Sequence, residues 1–246
     1  MTVTTQKGAP METGRTASTM RVALREVREC AYRTLMAKGA SNAEAQAAAR
    51  QVLFAEVHYG TGLAALASWL RKGSWTLGAL SYTRTETPEG KRYAVDPGSS
   101  CHALVHGVLL VDVASSGVGS EVLCNAVNHD SHLLDEALLN AAQVSGHTVV
   151  HRSAGASNRT TFATPDGELG TGFSSDAVIA PRTAPEAPYG SRFYTVDSAP
   201  QGDFVRCTEA ERAARRVDLA HSGIQVDSAI WAELRAVAAG YLVGEA

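Results

Sequence analysis

The strongest folding signal in the sequence is the nearly continuous apolar run at residues 108–113, inside the segment 102–114. A short apolar run of this kind is typical of a strand that is buried on both faces of a sheet. We therefore predict a central strand over 102–114. Helical patterns at 121–128 and 131–144 follow it, and another apolar strand pattern lies at 147–151. Strand, helix and strand in this order predict a βαβ-like unit and an α/β fold.

The residues before this unit have helical periodicity. Apolar residues recur at helical spacing over 22–38, and Gly39 ends that pattern. Ser41 and Glu44 form a capping box that opens a second helix. A third, short helix ends at Gly73. The N-terminal part of the chain is therefore predicted to be a helical unit.

Strand patterns return from residue 76 onward. Alternating residues on both sides of a turn at 88–90 predict a hairpin, and residues 177–180 and 192–196 predict two later strands. Thr208 and Asp227 are capping residues that open two C-terminal helices. We predict a single α/β domain in which a mixed sheet is flanked by helices. A disordered leader is predicted at 1–20. The domain spans 21–246 and is divided into a helical part 21–75, a sheet part 76–206 and C-terminal helices 207–246.

Composition limits the function classes. The formal net charge of −3 gives no reason to expect a nucleic-acid partner. No apolar run is long enough for a spanning helix, so we expect no membrane partner. The four cysteines lie far apart, and the N-terminus lacks the apolar core of an export signal. Reduced thiols and a cytoplasmic location are therefore expected.

The segment 146–176 is the most polar part of the predicted sheet region. Long polar loops in compact domains are functional or disordered, and we favour a functional loop over a solvated surface excursion. Side chains at strand ends in α/β folds tend to face ligand crevices. An arginine there binds a carboxylate or phosphate, and His151 can move a proton near neutral pH. The candidate substrate-binding residues are Arg152, Ser153, Asn158 and Arg159.

Other sites are less well supported by the sequence. The glycine turn at 117–119 has no third glycine, because Val122 stands there, which argues against a Rossmann site. The histidines form no metal-binding motif, so no metal is predicted. We take Ser174, Ser175 and Asp176, which supply hydroxyls and a carboxylate, as candidate cofactor contacts.

Two regions resemble the type-2 malate/L-lactate dehydrogenase family. The first contains the helix end at Lys38-Gly39, the Ser41 cap, Ala55-Glu56 and Gly62-Leu63; the second contains Ala141 to Gly146, Val149-Val150, Arg152 and Ser153. The resemblance implies a non-Rossmann α/β fold and a dimer. It also implies that NAD or NADP is used to reduce 2-oxo acids or cyclic imines.

The catalytic histidines of that family are not in register here. The place of its D-S-H-G motif reads His58-Tyr59-Gly60-Thr61-Gly62, and Ala154 and Gly155 stand where its second histidine follows Arg-x-Ser. A shorter bacterial family of unknown function, related to these dehydrogenases, is similar over more of the chain. The similar stretches are residues 23–27, 62–66 and 231–234.

These observations lead to two functional hypotheses. The first is a small-molecule enzyme, oxidoreductase-like, that is derived from an NAD(P)-dependent 2-oxo acid or imino acid reductase fold. Its proton donors would be His151 or His58, its ligand a small anionic metabolite, and its cofactor NAD or NADP if the family chemistry is retained. The alternative is a non-catalytic binding or accessory protein. We expect a homodimer, because the relatives are dimers and the helices carry more apolar surface than one small sheet needs.

Overall fold

A computed structural model describes residues 18–72, 80–88, 90–96, 101–125, 127, 132–153, 159–173 and 190–242. The helices in these ranges are α1 (Leu24–Ala37), α2 (Asn42–Tyr59), α3 (Gly62–Lys72), α4 (Ala103–Ser115), α5 (Asp135–Ser145), α6 (Glu209–Ser222) and α7 (Ser228–Ala239), followed by a 3-10 turn at Gly240–Leu242. The strands are β1 (Thr19–Val22), β2 (Tyr82–Thr87), β3 (Gly90–Val95), β4 (Glu121–Cys124), β5 (Thr148–Ser153), β6 (Arg159–Ala163), β7 (Leu169–Phe173), β8 (Ser191–Val196), β9 (Phe204–Cys207) and β10 (Ile224–Asp227).

Eight of the strands form one mixed sheet. Their order across the sheet is β2-β3-β4-β8-β5-β6-β7-β9. The β3–β4 pair is parallel and the other neighbouring pairs are antiparallel. Strands β1 and β10 form a separate antiparallel pair. The predicted mixed α/β architecture is therefore confirmed.

The helices with strong local caps form where the sequence predicts them. The Ser41 hydroxyl accepts the backbone N–H of Glu44, and the Glu44 carboxylate accepts the backbone N–H of Ser41 at 2.7 Å. Asp227 accepts two backbone N–H groups at the start of α7. The hairpin of β2 and β3 and the strand β8 also agree with the predictions. Strand β1 begins at Thr19, so the last residues of the predicted leader are part of a strand.

The predicted central strand over 102–114 is wrong, because these residues form α4. His102 caps this helix by accepting the backbone N–H of Leu104 at 3.2 Å. Helix α4 is apolar on most of its sides and packs against α5, β4 and β8. A helix that is apolar all round has no helical periodicity in its sequence, so the run does not distinguish it from a buried strand.

The predicted helix at 121–128 is also wrong, because Glu121–Cys124 is the buried strand β4. The βαβ-like unit that we predicted fails with it. Helix α5 does connect β4 to β5, but β8 lies between those two strands and is antiparallel to both. The first segment was predicted as a strand and is a helix, and the second was predicted as a helix and contains a strand. The two errors cancel in the total number of strands and helices.

Within the polar segment at 146–176, the described residues 146–153 and 159–173 are mostly sheet and not loop. The segment contains β5, β6 and β7, and a tight turn at 164–168 joins the last two. Its polar residues include many threonines, which favour strands because they are β-branched. The strand predicted at 177–180 lies outside the described residues.

The two faces of the large sheet differ in what covers them. Val149, Phe193 and Leu169 lie in the main core, which the sheet shares with the helices. Val150, Phe162 and Tyr194 form a smaller cluster of their own. Because successive strand residues point to opposite faces, the alternation of Val149 and Val150 assigns these clusters to the two faces. Over the described ranges, no helix is long and apolar enough to cross a membrane.

Candidate functional site

Four side chains from three separate parts of the chain meet at one end of the large sheet. They are Tyr59, His132, Asp135 and Arg159, which we call the His132 cluster. The Tyr59 and His132 rings stack with their centroids 3.7 Å apart. His132 Nδ1 lies 3.0 Å from Asp135 Oδ2, and Arg159 Nη2 lies 3.0 Å from His132 Nε2. The cluster therefore combines a proton-transfer group, a carboxylate and a permanent cation.

The local backbone explains how these side chains meet. Tyr59 is the last residue of α2, which ends at Gly60 in the left-handed conformation with φ 70°. His132 has a positive φ of 54°, and among the described residues no other non-glycine residue does. Histidine tolerates this conformation better than bulky or β-branched residues do. Asp135 begins α5, where a carboxylate is favoured by the helix dipole.

The contacts of His132 favour one arrangement of its proton. Arg159 Nη2 lies 3.0 Å from Nε2 and 3.3 Å from Nδ1, and a guanidinium can only donate, so the shorter contact favours Nε2 as the acceptor. A neutral ring then carries its proton on Nδ1, which donates to the buried Asp135 carboxylate. Burial, followed by the charge and hydrogen bond of Asp135, raises the pKa of Tyr59 far above its ordinary value. Tyr59 therefore stays protonated.

A cavity of about 480 Å³ opens beside the cluster. Its described lining consists of Tyr59, His132, Arg159, Leu169, Thr171, Gly172, Phe173, Asp203, Val205 and Cys207. Gly172 faces the backbone of Asp203, which a side chain at that position would contact. Phe173 and Val205 are 73% and 82% exposed, so the rim is apolar. This size suits a small metabolite, because ligand sites typically measure about 300–1,000 Å³.

The structure brings one predicted substrate-binding residue, Arg159, into the cluster. Arg152 lies on the opposite face of the sheet from His151, since neighbouring strand residues alternate. Ser153 is buried at the end of β5. Asn158, Ser174, Ser175 and Asp176, predicted as substrate or cofactor contacts, lie outside the described residues.

The two predicted proton donors stand outside the cluster. His151 is 1% exposed and stacks on Phe193 in the core, with ring centroids 4.2 Å apart. His58 contacts Phe54, and burial together with three arginines of α6 lowers the pKa of His58 to about 4. A ring with that pKa is neutral at physiological pH, so the cationic form that would donate a proton is hardly populated. Their positions therefore give less support to acid–base roles than the position of His132 does.

Sequence reasoning missed Tyr59, His132 and Asp135. His132 and Asp135 are three residues apart at the start of a helix, which resembles an ordinary capping pattern. Tyr59 lies at the place where the dehydrogenase family that the sequence resembles has a histidine motif. The contacts of Tyr59 and Arg159 with His132 join chain segments that are far apart in sequence, so local spacing does not reveal them.

The described lining does not by itself form a dinucleotide site. A dinucleotide carries a pyrophosphate, which proteins bind with several N–H donors from a glycine-rich turn or a helix N-terminus. Arg159 is the one cation among the described residues of the lining, and Asp203 adds a negative charge. These described residues therefore supply too few donors for a pyrophosphate, and we assign none of them a contact with a nicotinamide cofactor. Among all of the residues that the structure describes, no group of three or more His, Cys, Asp or Glu could hold a metal ion.

Comparisons with known proteins agree with this architecture. The sequence matches no family model, and a search of curated proteins finds no significant match. Solved structures do match. A malate dehydrogenase from Pyrococcus horikoshii has a TM-score of 0.62 at 12% identity, and the match covers 93% of this chain and 97% of that one.

Two further structures are similar over most of their length. A dehydrogenase from Sinorhizobium meliloti has a TM-score of 0.63 at 14% identity, covering 90% of this chain and 100% of that one. A malate dehydrogenase from Entamoeba histolytica has a TM-score of 0.58 at 12% identity, covering 93% and 99%. The comparisons do not support the resemblance to the shorter bacterial family. At these identities the likeness concerns the fold, and the chain has the fold of the malate/lactate dehydrogenases.

Proposed function

We propose that this protein is a small-molecule enzyme that acts on a small carboxylate-bearing substrate in the cavity beside the His132 cluster. The observation that carries the proposal is that His132 contacts both a buried carboxylate, Asp135, and a guanidinium, Arg159. The substrate class that fits is a 2-hydroxy or 2-oxo acid, or the corresponding imino acid. The dehydrogenase fold of the chain supports this class.

Each residue has a role that follows from its contacts. Arg159 binds the substrate carboxylate, because a guanidinium forms paired hydrogen bonds with that group. When Arg159 turns to the carboxylate, His132 Nε2 is released. In the oxidation of a 2-hydroxy acid, Nε2 then accepts the hydroxyl proton, while the hydride on the same carbon would pass to the nicotinamide cofactor supplied in the assay. Both return in the reverse direction. Asp135 holds the ring through Nδ1 and stabilises the imidazolium that forms. Stacking on Tyr59 keeps the ring from rotating.

The direct test is turnover with a panel of 2-hydroxy acids, 2-oxo acids and cyclic imines, each with NAD or NADP in the appropriate redox state. Nicotinamide absorbance gives the rate. We expect His132→Asn to lower kcat by about 10²–10⁴-fold, the usual contribution of a general base. Asparagine is chosen because it tolerates the positive φ of position 132. Arg159→Met should raise KM more than it lowers kcat.

Arg206→Met is the matched control. Arg206 pairs with Glu168 and lies over Phe162, which belongs to the other face of the sheet. This variant removes an arginine of β9 that does not line the cavity, so turnover should stay unchanged. Turnover that His132→Asn leaves unchanged would contradict the assignment of the site.

The second candidate is a non-catalytic binding protein. Arg159 already contacts His132 Nε2, so the cluster is also a closed polar network that needs no substrate. This candidate predicts that oxalate or oxamate raises the melting temperature through Arg159 while no substrate turns over. Turnover of any panel member that depends on His132 excludes it.

A further inference from the structure

The cavity beside the His132 cluster carries opposite charges on two sides of one wall. That wall consists of residues from β6, β7 and β9 and the turn before β9, and the three strands lie side by side in the sheet. Arg159 of β6 is directly opposite Phe173 of β7. Continuing the register of β7 and β9 by one residue places Asp203 opposite Phe173. Arg159, Phe173 and Asp203 therefore form one row across this wall.

The row sets the separation of the two charged residues. Residues that are directly opposite each other on antiparallel strands point to the same face, and all three residues of the row line the cavity. Because neighbouring strands lie about 4.8 Å apart, the Cα atoms of Arg159 and Asp203 are about 10 Å apart. A ligand that contacts both charged groups must extend across β7, past Phe173.

Asp203 has a carboxylate that no described residue neutralises. Its side chain is exposed, and it forms no ion pair or side-chain hydrogen bond with another residue in the described ranges. A second carboxylate on the substrate would meet this negative charge and be repelled. A cationic group at the same place would pair with Asp203.

The lining between the two charges suits an aliphatic chain. Thr171 and Val205 are opposite each other in the next row of the same wall, beside Phe173. The side chains of Phe173 and Val205 are largely exposed to the cavity and to solvent. Contact with methylene groups of a ligand would remove part of this apolar surface from water.

We infer that Asp203 determines the specificity of the site. The substrate is a 2-hydroxy or 2-oxo acid whose side chain ends in a cationic group, an amine or a guanidine, and dicarboxylic acids are rejected. Its carboxylate contacts Arg159, its aliphatic chain crosses Phe173, and its cationic end pairs with Asp203. The inference rests on the proposed function, because that proposal places the substrate carboxylate at Arg159.

Three 2-hydroxy acids with the same carbon backbone test the charge at the far end of the substrate. They are 6-amino-2-hydroxyhexanoate, 2-hydroxyhexanoate and 2-hydroxyadipate, and calorimetric titration of the full chain measures their affinities without requiring turnover. We expect the amino compound to bind about threefold more tightly than 2-hydroxyhexanoate, and 2-hydroxyadipate about threefold more weakly, as is usual for charge pairs at exposed sites. These differences should shrink at about 0.5 M salt, because exposed charges are screened.

Variants of Asp203 assign the preference to this residue. Asp203→Asn keeps the size and removes the charge, so the three compounds should bind within about twofold of one another. Asp203→Lys should reverse the order and favour 2-hydroxyadipate. Asp197→Asn is the matched control, because the Asp197 side chain is 89% exposed and lies outside the cavity lining. It should keep the wild-type order of affinities.

The outcomes separate this inference from the proposed function. Affinities that ignore the charge at the far end but fall in Arg159→Met would overturn the inference and leave the proposed function in place. A wild-type order of affinities that persists in Asp203→Asn would also overturn it. If none of the three compounds binds to the wild type, or if Arg159→Met binds all of them as the wild type does, the inference and the proposed function both fail.

Discussion

At the scale of single residues, His58 shows how placement changes the chemistry of a side chain. Burial is the main cause that lowers its pKa from 6.5 to about 4, and the arginines of α6 add to it. The unfolded chain therefore binds a proton at His58 at a higher pH than the folded chain does. This contribution to stability is complete above the unfolded pKa and is lost as the pH falls from about 6.5 towards 4.

His58→Gln tests this pH dependence. We expect the melting temperature of the wild type to fall more steeply than that of the variant between pH 7 and pH 4.5, because the variant has no ring to protonate. Thermal unfolding followed by circular dichroism measures the difference. His221→Gln, at an exposed histidine of α6, is the control and should follow the wild type. Equal slopes for His58→Gln and wild type would show that His58 is not buried as described.

At the scale of the elements, local signals predicted some of the fold and failed elsewhere for a physical reason. The capping box of Ser41 and Glu44 acts within four residues, so it identifies α2 without tertiary information. Helix α4 is apolar on its exposed side as well as on its buried side, and strand β4 is buried along its whole length, so neither has an amphipathic pattern to read. Within the His132 cluster, Arg159 was predicted because it follows a strand that was recognised. Tyr59 and His132 meet only through tertiary packing.

The packing of α4 gives a second prediction. A Cβ atom at Gly107 would lie 2.6 Å from a methyl carbon of Leu134 and 3.1 Å from Gln51 Nε2. Alanine normally stabilises a helix interior relative to glycine by about 1 kcal/mol. Overpacking costs about 1–3 kcal/mol, so we expect Gly107→Ala to lower the free energy of unfolding. Chemical denaturation measures the change.

Gly240→Ala is the matched control for this prediction. Gly240 has a helical φ of −64°, and an added Cβ there would meet nothing within 4 Å. The control should therefore be neutral or stabilising. A Gly107→Ala protein as stable as the Gly240→Ala protein would mean that α4 does not pack closely against α2 and α5.

At the scale of the whole molecule, one cavity lies near each end of the large sheet. The β2–β3 hairpin forms part of one, and β6, β7 and β9 form part of the other. The sheet has free outer edges at β2 and β9 among the described strands. Edge strands tend to pair with other chains unless charge or a covering element prevents it. On β9 the charge of Arg206 is paired with Glu168, and Val205 is an exposed apolar residue, so this edge favours pairing with another chain, as the predicted homodimer requires.

The homodimer can be tested together with the part of the surface that forms it. Light scattering at micromolar concentration should give about twice the chain mass of 25.8 kDa. Val205→Lys should shift the mass towards the monomer, because a lysine on an edge strand opposes pairing with another chain. Val144→Lys is the matched control, since both valines are 82% exposed and Val144 lies on α5. A wild-type monomer would refute the dimer. A dimer that survives Val205→Lys would place the interface elsewhere, away from the exposed edge at β9.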